Sequence, residues 1–77
     1  MKKVNEKKIA VLVGERVRNL RRERGVSQNQ LAFEAEISMR QLGRIERGEF
    51  NTTFLMLYKI SRVLNVSVSE IVNFIIE

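Results

Sequence analysis

Apolar residues recur along the chain at helical spacing, cut at short intervals by caps and breakers. Ile9, Leu12, Val13, Val17 and Leu20 form one stripe, with Arg16 its single polar member. An amphipathic helix is therefore predicted from about Glu6 to Arg24. Gly25 is placed to end it in the left-handed conformation, and Arg21, Arg22 and Arg24 occupy the last turn, where the helix dipole favours cations. Ser27-Gln28-Asn29-Gln30 reads as a capping box, a hydroxyl first and an amide three residues on. It opens a second helix burying Leu31, Ala32 and Ala35. Ser38-Met39-Arg40-Gln41 repeats the signal and opens a third, with Leu42 and Ile45 inward and Gly48 at its end. Thr53 caps a fourth, with Leu57, Ile60, Ser61 and Leu64 on one face and Asn65 at its left-handed end. Ser67-Val68-Ser69-Glu70 opens a fifth, expected to run to the C-terminus. No stretch alternates with the period of a strand. The fold class that follows is all-α, a compact bundle of five short helices.

Composition narrows the chemistry. At 77 residues a single domain, 1–77, is expected, with no appended sensor. The chain has no Cys, no His and no Asp. That excludes a disulfide framework, a zinc site and a Ser-His or Cys-His nucleophile, so neither an enzyme, a metal nor a cofactor is expected. The longest apolar run, Ile9 to Val13, is too short to span a bilayer or to form a secretion signal, and a cytoplasmic protein is expected.

Net charge is +5, and it is unevenly placed. Residues 1–24 balance at +6, residues 25–50 at −1 and residues 51–77 at zero. The excess lies in Lys2, Lys3, Lys7 and Lys8, then in Arg16, Arg18, Arg21, Arg22 and Arg24. It reads either as a solubilising face or as a basic arm (1–5) and helix lying near phosphates.

Two short capped helices joined by a tight turn inside a bundle form a helix-turn-helix arrangement, spanning 28–47. In that geometry the first helix offers its N-terminus to a phosphate, and the second lays its N-terminal side chains against base edges in the major groove. The outer face of the third helix reads Met39, Arg40, Gln41, Gly43, Arg44 and Arg47. Arg40 and Arg44 lie four apart on one face, and arginine suits guanine as a bidentate fork. A merely solvated helix must also be polar here, so spacing leaves both readings open.

From Val13 to Ile71, about three quarters of the chain, the sequence resembles the helix-turn-helix domain of the phage Cro and cI repressors, the XRE family. The likeness is carried by Gly14-Glu15-Arg16-Val17-Arg18-Asn19-Leu20-Arg21 and Gly25-Val26-Ser27-Gln28-Asn29-Gln30-Leu31-Ala32. It continues through Ile37-Ser38, Ile45-Glu46-Arg47-Gly48, Leu57-Tyr58-Lys59-Ile60 and Leu64-Asn65-Val66-Ser67. The resemblance implies a Cro/cI-like five-helix fold and a regulator that binds double-stranded DNA. It implies base contacts from Arg40, Gln41 and Arg44, with Met39 beside them. Phosphate contacts are implied for Gln28, Ser27, Ser38, Arg47 and Asn51, and an ion pair for Arg21 and Glu46. Small stand-alone relatives include phage-type repressors and the controller proteins of restriction-modification systems.

The chain departs from that pattern in three places. Glu36 stands in the turn where the family usually has Gly, Thr52 stands where Pro is common, and Gly43 lies mid-helix. Either the turn is built differently or Glu36 adopts a strained positive φ.

Apolar residues exceed what one small core needs. Leu55, Met56, Val68, Val72, Phe74, Ile75 and Ile76 are left over, and the last helix, 67–77, is apolar nearly all round. A homodimer through Leu55, Val68, Ile71, Val72, Phe74 and Ile75 is expected, the alternative being a tail folded onto Ile9, Ala10 and Val11. Phe33, Phe50 and Phe54 are expected to form a satellite cluster near the third helix. The expected function is a sequence-specific transcriptional regulator reading an inverted repeat as a dimer. The rival is an antitoxin or anti-regulator whose main partner is another protein.

Overall fold

A computed structural model describes residues 5–74. The basic arm up to Val4, and Ile75, Ile76 and Glu77, lie outside the described residues. Among the described residues the chain forms α1 (Glu6–Glu23), α2 (Gln28–Ala35), α3 (Met39–Glu46), α4 (Phe54–Leu64) and α5 (Val68–Ile71), with no strand.

Each helix starts on a side-chain oxygen. Asn5 accepts from the Lys8 N–H, Ser27 from Gln30, Ser38 from Gln41, Thr53 from Met56 and Ser67 from Glu70. The box is reciprocal at Ser38 and at Ser67. At Ser27 only the hydroxyl half forms, so the signal read there as a full box is a simple N-cap.

The first four helices close alike. A left-handed residue follows the last turn (Gly25, Glu36, Gly48 and Asn65), and the next N–H reaches back to a carbonyl five residues earlier. The bonds are Val26 to Arg21, Ile37 to Ala32, Glu49 to Arg44 and Val66 to Ser61. In three of these closures the donating residue is apolar, and Val26, Ile37 and Val66 lean on the core while staying half-buried. After α3 that residue is the charged Glu49, which turns instead towards Arg47. Glu36 does take the strained backbone, at φ 57°.

Val17, Leu31, Leu42, Ile60, Leu64 and Ile71 centre the core, with Ala10 and Val13 of α1 also buried. α1 packs on α3, α4 and α5, while α2 packs on α3 and α4. Gly14 makes the first crossing possible: a Cβ there would strike the backbone carbonyls of Ile45 and Glu46. Arg16 holds α5 against α1, its Nε and Nη2 donating to the Glu70 carbonyl at 3.0 and 2.7 Å.

Two expectations need correction. The last helix does not continue: α5 ends at Ile71, Val72 caps it, and Phe74 returns to the core. The phenylalanines do not cluster either. Phe50 packs on the core, whereas Phe33 and Phe54 are 84% and 71% exposed.

Candidate nucleic-acid interface

α3 is seated by Leu42 and Ile45, both essentially fully buried, and this fixes which side chains face outward. Its position is further set by Glu46, whose carboxylate is 3% exposed. Arg21 meets it as a fork, Nε to Oε2 at 2.7 Å and Nη2 to Oε1 at 3.1 Å, while Nη1 donates to the Val26 carbonyl at 3.1 Å. Gln28 Nε2 adds a bond to Glu46 Oε1 at 3.3 Å. The first residue of α2 and the last turn of α1 thus converge on the end of α3. A buried carboxylate satisfied this fully orients the helix, and removing either partner would strand a charge.

Outward of this frame stand Met39, Arg40 and Gln41 at the start of α3, then Arg44 and Arg47. Two of them are already engaged. Gln41 Oε1 accepts the Ser38 N–H at 3.1 Å and lies 3.3 Å from Ser38 Oγ. Its carbonyl end is therefore held in the cap. Arg47 Nε and Nη2 donate to Glu49 at 2.9 and 3.3 Å, and the guanidinium lies back over Gly43. The hydrogen bond from Arg47, with its positive charge, holds the Glu49 carboxyl below the usual carboxylate range, and the same pairing raises Arg47. Gly43, read as part of the outer face, is buried beneath that side chain, and a Cβ there would press on Nη1. Arg44 Cζ stands over the Phe50 ring, 5.3 Å from its centroid.

The expected phosphate contacts are spread around this face. Ser27, Ser38 and Asn51 are exposed, with both serine hydroxyls serving as caps. Gln28 is half-buried, its amide nitrogen committed to Glu46. Glu49 was not singled out in the sequence, and Phe50 was expected only in a phenylalanine cluster near the third helix, not against Arg44. The only signal was their place just after Gly48, whose turn at φ 72° swings them back towards α3.

Of the expected dimer residues, Leu55 and Val72 are exposed, and Val68 and Phe74 are half-buried against the core. Ile71 is a correction: it is fully enclosed by its own chain, because α5 points it between α1 and α4. Ile75 lies outside the described residues. Val72 also borders an apolar groove with Ile9, Ala10, Val13, Phe50 and Leu57. No helix among the described residues is long and apolar enough to cross a membrane, and no metal-binding group of acidic side chains forms among them.

Comparison with known proteins agrees with this geometry. The helix-turn-helix family profile matches residues 17–71. The uncharacterized HTH-type transcriptional regulator y4dJ of Sinorhizobium fredii is 38% identical over 61 residues, 79% of this chain and 79% of the relative. The crystal structure of the restriction-modification controller protein C.AhdI from Aeromonas hydrophila superposes with a TM-score of 0.78 at 32% identity, covering 80% of this chain and 94% of that one. SinR, a master regulator for biofilm formation, was solved in complex with DNA; it is 35% identical, with a TM-score of 0.76 over 79% of this chain and 98% of that one. A complex of SinR with the protein SinI is also similar, with a TM-score of 0.77 over 79% of this chain and 60% of that one, again at 35% identity.

Proposed function

From the premise that this chain belongs to the helix-turn-helix family of non-enzymatic, DNA-binding transcriptional regulators, we propose that it reads an inverted-repeat operator as a homodimer, with α3 in the major groove. It acts in the cytoplasm and, by occupying its operator, blocks or assists polymerase. The observation that carries this reading is the contrast within α3. Leu42, Ile45 and the Arg21–Glu46 fork lock one side, and Arg40, Arg44 and Met39 project from the other. A rigidly seated helix with arginine arms on its outer face suits base reading better than mere charge attraction.

In this proposal Arg40 and Arg44 fork onto guanine edges, and Met39 meets a thymine methyl. Gln41 contributes through its amide nitrogen, since its oxygen is kept in the cap. Ser27, Gln28, Ser38, Arg47 and Asn51 approach phosphates, Arg47 by exchanging Glu49 for one. Leu55 and Val72 supply the dimer contact, with the exposed parts of Val68 and Phe74 at its margin. Two reading helices related by a dyad then meet half-sites about one helical turn apart.

The rival reading, a module whose main partner is another protein, draws on the exposed Phe33 and Phe54. Selection of bound duplexes from a random pool at two salt concentrations separates the two. An enriched inverted repeat that persists at higher salt is expected. Weak binding without enrichment, lost steeply with salt, would overturn the operator reading.

A further inference from the structure

Arg44 and Arg47 are held by opposite means. Arg47 gives Nε and Nη2 to the Glu49 carboxylate, so the N–H edge that would fork onto a base is occupied. Arg44 instead sets its guanidinium carbon over the Phe50 ring, 5.3 Å from the centroid. Stacking uses the flat face of a guanidinium and leaves its in-plane N–H donors pointing outward. A guanine fork needs that edge. Among the described residues the salt bridges are Arg21–Glu46 and Arg47–Glu49; the charge of Arg44 acts on Glu49, but no carboxylate lies within salt-bridge distance of it. The ring is itself anchored: Phe50 is half-buried against the core and returns beneath α3 through the Gly48 turn. An arginine that has already surrendered part of its rotamer freedom loses less on binding.

We infer that Phe50 is a positioning residue for Arg44, and that the stack sets how sharply the base pair under Arg44 is discriminated. The inference rests on the proposal that α3 reads bases. Phe50 acts here without touching DNA.

Duplex selection is run with the wild type, Arg44→Ala, Phe50→Leu, Phe50→Tyr and the Arg44→Ala/Phe50→Leu double variant, each checked by thermal unfolding. Leucine keeps an apolar side chain on the core and removes the ring. The profile of Arg44→Ala marks the base pair Arg44 reads. Phe50→Leu is expected to lower preference at that pair about two- to five-fold and to leave other positions alone. Phe50→Tyr should retain wild-type preference, and Phe50→Leu should add nothing once Arg44 is gone. A Phe50→Leu profile identical to wild type, or preference lost equally at every position, would overturn the role of Phe50 alone. A wild type that enriches no site overturns the base-reading proposal, and this inference with it.

Discussion

Arg44 in the last turn of α3 and Arg47 at its C-cap lie three residues apart and are held differently. Arg44, set over the Phe50 ring, is the proposed base reader. Its replacement by Ala should cost about 1–3 kcal/mol on the selected site and relax preference at one base pair, with little change in unfolding. Equal loss on all duplexes in a competition titration would make it a phosphate contact. Arg47 is tied to Glu49, so Glu49→Gln should free it. Affinity for unrelated duplex should then rise, because Arg47 no longer leaves a carboxylate to meet a phosphate, and Arg47→Ala should lower the salt slope by about one; an unchanged slope in Arg47→Ala would place Arg47 off the backbone. The Glu49 carboxyl is held low by its partner, so the pair persists above the ordinary glutamate range and is lost as pH falls through the lowered value. Non-specific affinity should climb over that acid window. Residue identity was only partly legible in the sequence. Gln41 carried two signals, cap and base reader, and one amide oxygen cannot serve both.

Helix boundaries were legible to within a residue at α1 to α4, because caps and left-handed closures are local chemistry between neighbours. The turn between α2 and α3 shows what such a closure costs without glycine. Glu36→Gly should stabilise the domain by about 1 kcal/mol in denaturant unfolding by relieving φ 57°, while binding is unchanged. The docking of α3 rests on the opposite kind of contact, between residues 25 apart in sequence. Arg21→Ala or Glu46→Ala should each cost about 3–5 kcal/mol, much of the stability of a domain this small. Replacing both by apolar residues of similar volume should restore most of it. A single variant melting like the wild type would show the pair to be dispensable. The end of α5 was not legible: the largely apolar stretch 71–76 reads as helix continuing, yet the helix closes at Ile71 and Phe74 packs on the core.

For the assembled protein the open question is where its surplus apolar surface goes. Leu55 and Val72 remain exposed on the folded chain, and the dimer proposal needs them covered. Leu55→Glu should give a monomer at micromolar concentration in sedimentation, with unfolding nearly unchanged and operator affinity reduced. A wild type that already sediments as a monomer would remove the dimer, and an unaltered variant would move the contact elsewhere.

Helix order, caps and basic excess could all be read in the amino-acid order, because each depends on residue type or on neighbours a few positions apart. Which surplus residues reach the core, with Phe74 turned onto it and Leu55 outside, was settled only by how the helices cross. The same crossing holds α5 by Arg16, and the Gly48 turn brings Phe50 beneath Arg44. Burial and stacking depend on distances between elements far apart in sequence, and helical periodicity names the face of a helix without naming its neighbour.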